Sequence, residues 1–173
     1  MAIAKRKLAE DWLYKASNNL DAAKGYLKGY MQSSEAIERA QECIELSAKS
    51  IFALLDIEYP RQHSVAPDKK EFSALAEQIQ QKRLLEKLEE QNLGYAVKLP
   101  RILLLTYFWS QFYTIAKYGF EPGNLASAKD LFAKKEAELA VAHAEECYQA
   151  ASQLRYLGEE ALAKLRQGFS EQV

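Results

Sequence analysis

Cysteine, histidine, proline and glycine are all scarce in this chain, at two, two, four and seven of 173 residues. So few prolines and glycines leave long stretches without a helix breaker. Two cysteines do not make a disulfide framework. Cys43 and Cys147 each fall on an apolar helical stripe and read as small buried hydrophobes in a reducing compartment. Neither histidine stands at ligand spacing from a cysteine pair, which argues against a zinc site. Long hydrophobic runs are missing too. The most apolar run, Ile102 to Ala116, is interrupted by Gln111 and falls short of the ~20 residues of a membrane span. The opening MAIAKRKLAEDW has no apolar h-region, so no signal peptide is expected and the protein is read as cytoplasmic. Charge of one sign is also lacking. A net charge of −1 argues against a protein held to nucleic acid by bulk charge, and leaves a local basic patch open.

What remains is an ordinary globular composition, 49% hydrophobic and 27% charged, of a length that fits one domain over residues 1–173. Apolar residues recur at spacings of three and four, the period of a helix with one buried face. Leu8, Trp12, Ala16, Leu20, Ala23 and Leu27 predict a first helix from about Lys5 to Tyr30. Ile37, Ala40, Ile44, Ala48, Ile51 and Leu55 predict a second from about Ser34 to Leu55, with Ser33 or Ser34 as its cap. The short connection predicts an antiparallel hairpin. Asp56 to Lys70, with Pro60 and Pro67, is the longest stretch without a period; such loops are often functional. A third, lysine-rich helical region covers about Glu71 to Asn92, and a fourth helix, apolar nearly all round, runs from about Arg101 to Lys117. Ser127 and Asp130 have capping-box spacing. A last helix runs from about Asp130 to Gly168, with Leu139, Ala140, Ala144, Cys147, Ala151, Leu154, Ala161 and Leu165 inward and a break near Gly158. No strand pattern and no internal repeat is found. The prediction is all-α: an antiparallel bundle of about five helices.

Gln41-Glu42-Cys43-Ile44-Glu45-Leu46-Ser47-Ala48-Lys49 has the form Q-x-x-I-E-x-x-x-K, and ten residues on comes Tyr59-Pro60-Arg61-Gln62-His63. A helix of this kind, then a loop with proline and histidine, resembles the HEPN domain (higher eukaryotes and prokaryotes nucleotide-binding). Lys117-Tyr118-Gly119 and Asp130-Leu131-Phe132, leading into a helix from Glu136 to Tyr148, are similar to its archaeal and bacterial stand-alone members. The resemblance covers about residues 8–157. It implies a bundle like the substrate-binding subunit of nucleotidyltransferases, often dimeric. It also implies several roles: ribonuclease of a toxin–antitoxin or defence system, partner of a minimal nucleotidyltransferase, or nucleotide-binding module. The ribonuclease members share an arginine followed by four to six residues and a histidine. A histidine can move the 2′-hydroxyl proton while an arginine holds the phosphate. Here Arg61 stands only two residues before His63, and Glu136, Ala137 and Glu138 stand where His143 would need its arginine. The expectation is therefore a non-catalytic, homodimeric protein that binds a nucleotide or a nucleotidyltransferase near the loop after the second helix. No cofactor is expected beyond that nucleotide. A metal-independent ribonuclease is the alternative.

Ligand candidates are Lys49, Tyr59, Arg61, His63 and Arg101. Glu45 and Lys49, four apart, read either as a helix-surface ion pair worth about 0.3 kcal/mol or as a lysine aimed at an anionic ligand. Arg61 and His63 read either as a phosphate contact, through a guanidinium fork and an imidazole, or as a structural loop. Tyr107, Trp109, Phe112, Tyr113 and Tyr118 could stack a base, but the cluster reads better as a dimer interface, with Tyr107, Trp109, Phe112 and Tyr113 as its candidates. His143, in mid-helix, reads as a satisfied surface or interface residue.

Overall fold

A computed structural model describes residues 2–29, 32–59, 69–120 and 126–167 of the chain, with side chains from Ala4 onward. Its first two helices are α1 (Ala2–Tyr26) and α2 (Ser33–Leu54), joined by a short turn and packed along their length. α2 starts one residue before the predicted boundary and ends one residue before it. Its six predicted apolar residues are all fully buried. It is also buried at Ala36, Cys43, Ser47, Ser50, Phe52 and Leu54, because it is the central helix, covered by α1 and by four later helices. Neither serine caps it: Gln32 holds the cap position, and Ser34 hydrogen-bonds the Glu35 carboxylate at 2.9 Å.

The predicted third helix is two, α3 (Lys69–Gln81) and α4 (Leu84–Glu90). Arg83 separates them in the left-handed region at φ 50°. The predicted fourth is α5 (Leu99–Ser110) and α6 (Tyr113–Tyr118). Its break comes where the Gln111 and Phe112 N–H groups bond back only three residues, to Phe108 and Trp109, which tightens and ends the α-helical turn. The predicted last helix is a short α7 (Ala128–Leu131), a long α8 (Lys134–Arg155) and α9 (Glu159–Arg166). Extended backbone at Phe132 and Ala133 separates the first two, and Gly158 the last two. The Ser127 hydroxyl bonds the Asp130 carboxylate, while Glu136 accepts the Ala133 N–H and so caps the start of α8. Among the described residues the only extended pairing is an isolated bridge between Phe120 and Ala126.

Small residues bring α1, α2 and α8 close. Ala9, Ala16 and Ala23, seven apart, meet α2, and Ala137, Ala140, Ala144, Cys147 and Ala151 line α8. Interaxial distance follows the size of contact side chains, so this seam lets polar groups reach backbone: Ser50 Oγ donates to the Ala9 carbonyl at 2.9 Å, and Cys43 Sγ to that of Ala144 at 3.7 Å. Both cysteines are free and buried. Burial pushes the Cys43 thiol up to about 12 and that of Cys147 upward as well. The same seam corrects the predicted face of α1. Ala9 and Leu13 point inward, and Leu8 is exposed. Leu139 is exposed likewise.

The end of α2 is fixed by a Schellman arrangement. Asp56, at φ 57°, gives its N–H to the Ala53 carbonyl, and Ile57 gives its own to Phe52 at 2.8 Å. Cations gather on this helix C-terminus, where they complement the helix dipole. Lys5 bonds the Asp56 carboxylate, Lys82 the Asp56 carbonyl, and Arg166 Nε the Leu54 carbonyl at 2.7 Å.

Candidate functional site

Gln41, Glu45 and Lys49 follow each other at four-residue steps on α2 and so lie on one stripe. Lys49 Nζ donates to Glu45 Oε1 at 2.5 Å, and Gln41 Nε2 reaches the other Glu45 oxygen at 3.4 Å. The lysine is only 7% exposed, so this is not the solvated surface pair considered from spacing alone. Its ammonium also lies 5.5 Å from the centre of the Tyr59 ring, which stacks at a tilt on Phe52 at 5.4 Å. Burial, reinforced by the carboxylates of Glu45 and Glu71, pushes the Tyr59 phenol well above its usual value. Lys49 and Tyr59 are thus brought together, in a pocket of charge already balanced by Glu45. Arg61 and His63 lie outside the described residues.

Arg101 belongs to a different cluster, between α5 and α8. Its Nε and Nη2 hold the two Glu146 oxygens at 2.6 and 3.0 Å, a bidentate pair. That pairing holds the Glu146 carboxyl below its usual range. Next to it, the Trp109 indole N–H donates to His143 Nδ1 at 3.0 Å. An indole nitrogen only donates, so the imidazole nitrogen facing it carries no proton. Burial and then the charge of Arg101 lower the His143 pKa, with Glu146 opposing. Neutral His143 is the form this site holds.

The aromatic residues of α5 and α6 do not form one surface. Trp109 is 3% exposed and fills the chain's own core. Tyr107 is half-buried against Phe72 at 5.3 Å, and Phe112 and Tyr113 are half-buried. The apolar side chains that α5 turns to solvent are Leu104, 53% exposed, and Phe108, 44% exposed. They are four residues apart on one face, beside Arg101. Sequence reasoning missed this pair, although the all-round apolarity of the segment was its signal. It also missed Glu146 as the partner of Arg101, because 45 residues separate them and no local period links them.

The profile of the HEPN domain matches residues 9–154. The chain belongs to the HEPN domain family. The match runs from the first buried alanine of α1 to the last turn of α8, so the α1–α2–α8 seam and the α5 helix all lie within the HEPN domain. No curated protein and no solved structure matches the chain.

Proposed function

We propose that this HEPN protein works by docking rather than by catalysis, as a homodimer and as the partner of a minimal nucleotidyltransferase. The observation that carries the reading is the exposed apolar pair Leu104 and Phe108 on α5. Large exposed apolar side chains grouped on one helix face favour a protein partner. Further support comes from the groups that could have done chemistry. Lys49 and Arg101 each hold a carboxylate, and His143 holds an indole. A nucleotide site built on Lys49 or Arg101 would first have to displace those partners.

Size-exclusion chromatography with light scattering tests the dimer. The wild-type chain should elute at twice its monomer mass, and Leu104→Glu with Phe108→Glu should reduce it to a monomer of unchanged helicity. Pull-down with a nucleotidyltransferase encoded beside it tests the partner, and the same double variant should lose it. A monomeric wild type that captures no such enzyme would sink the docking reading. RNA cleavage abolished by His63→Ala would replace it with a ribonuclease.

A further inference from the structure

We propose that the cleft between the end of α1 and the α7–α8 junction is a second docking surface, which takes an acidic segment of a partner protein anchored by one apolar side chain. The surface goes beyond the α5 docking face and shares no residue with it. α1 ends at Tyr26, and the Lys28 and Gly29 N–H groups bond back only three residues, to the Gly25 and Tyr26 carbonyls. Both residues are exposed. Across the cleft the helical path breaks at Phe132 and Ala133, which are extended. Phe132 is half-buried and packs on the core, as do Tyr26 and Leu27. These three side chains form the apolar floor of a cleft of about 650 Å³. Lys28, Lys129 and Lys134 stand exposed in its walls.

Among the described residues Lys28 and Lys129 form no ion pair, and Lys134 reaches Glu138 only at 4.0 Å, with both side chains more than half exposed. Asp130, the one carboxylate lining the cleft among the described residues, already accepts from the Ser127 hydroxyl. The cleft is therefore positive on a chain whose net charge is −1. Such a field selects an anionic partner and speeds its approach. The floor decides which anion. Tyr26 and Phe132 pack against the core, so they offer an apolar hollow rather than free ring faces for bases to stack on. Among the described residues no arginine lines the hollow, so it lacks the fork that suits phosphate. Carboxylates pair with ammonium groups as point charges, and a phenylalanine side chain fills an apolar hollow. A free dicarboxylate would engage the lysines and leave the hollow empty.

Fluorescence anisotropy on the full chain, with a labelled peptide of about ten residues in which glutamates flank one phenylalanine, tests the surface. The peptide should bind, and rising salt should weaken it. Lys129→Glu with Lys134→Glu should reduce affinity by about tenfold or more, and serine in place of the peptide's phenylalanine by about tenfold. A peptide with lysines in place of the glutamates should ignore the wild type and bind the doubly reversed variant. Lys7→Glu with Lys15→Glu, an equal change of charge on α1 outside the cleft, should change little. All four lysines are exposed, so circular dichroism should show the helices intact in both variants. The proposal is overturned by absence of peptide binding, by equal losses in the Lys7 and Lys15 variant, or by indifference to the phenylalanine. An oligouridylate that binds tighter than the peptide, and weakens in the Lys129 and Lys134 variant, would overturn it too.

Discussion

The indole N–H of Trp109 and Nδ1 of His143 meet at 3.0 Å, and this hydrogen bond exists only while that nitrogen is unprotonated. Arg101 on α5 and Glu146 on α8 are the charged groups acting on the imidazole, and the net effect with burial is a lowered pKa. The unfolded chain therefore takes up a proton near the ordinary value of 6.5 that the folded chain resists. This contribution to stability is complete above that pH. It is lost as pH falls through 6.5 toward the lowered folded value. Urea midpoints taken between about pH 7.5 and 5.5 should drop for the wild type and drop less for His143→Gln, whose amide oxygen can still accept from Trp109. Equal slopes would refute the linkage.

Lys49 and Glu45 predict a non-additive pair. The lysine side chain is 9% exposed and the glutamate 24%, so removing either charge leaves the other poorly solvated. Lys49→Met alone should cost about 2 kcal/mol, and Glu45→Gln with Lys49→Met should recover most of that loss. Thermal unfolding of the two singles and the double measures the coupling. Additive losses would show that the pair is solvated after all.

The central helix was legible from sequence because every signal agreed there: a strict apolar period, a short turn before it and a proline after it. α1 was legible as a helix but not in its facing. The three-and-four spacing of Leu8, Trp12 and Ala16 is as regular as that of Ala9, Leu13 and Ala16, and only the packing of a small-residue seam against α2 decides between them. The break at Arg83 left no local trace, since a lysine- and leucine-rich stretch reads as helix throughout. Of the candidate site, the Gln41–Lys49 stripe was legible because its members share a helix. The Arg101–Glu146 and Trp109–His143 contacts were not, because they join residues 45 and 34 positions apart.

Arg83 itself yields a stabilising prediction. A non-glycine residue in the left-handed region carries a steric cost, since its Cβ crowds the following carbonyl. The Arg83–Glu86 pair is exposed at both ends and spans 3.3 Å, so it offsets little. Asn92 occupies the same region at φ 58° after α4, where asparagine is better tolerated. Arg83→Gly should therefore stabilise by roughly 0.5–1 kcal/mol, and Asn92→Gly by less. Denaturant midpoints report both, and a destabilised Arg83→Gly would mean that the arginine's contacts outweigh its backbone cost.

The α1–α2–α8 seam makes the opposite prediction, that added volume is harmful. Ala16 and Ala144 are completely buried, and Cys43 Sγ approaches the Ala144 carbonyl at 3.7 Å. A leucine at either position must force helices apart or take a strained rotamer, at about 1–3 kcal/mol each. Leu139, equally apolar but exposed on the same helix, should accept alanine for less than about 0.5 kcal/mol. The contrast separates close packing from hydrophobicity. If burial of apolar area alone set stability, Ala144→Leu would stabilise, whereas close packing requires it to lower the unfolding midpoint.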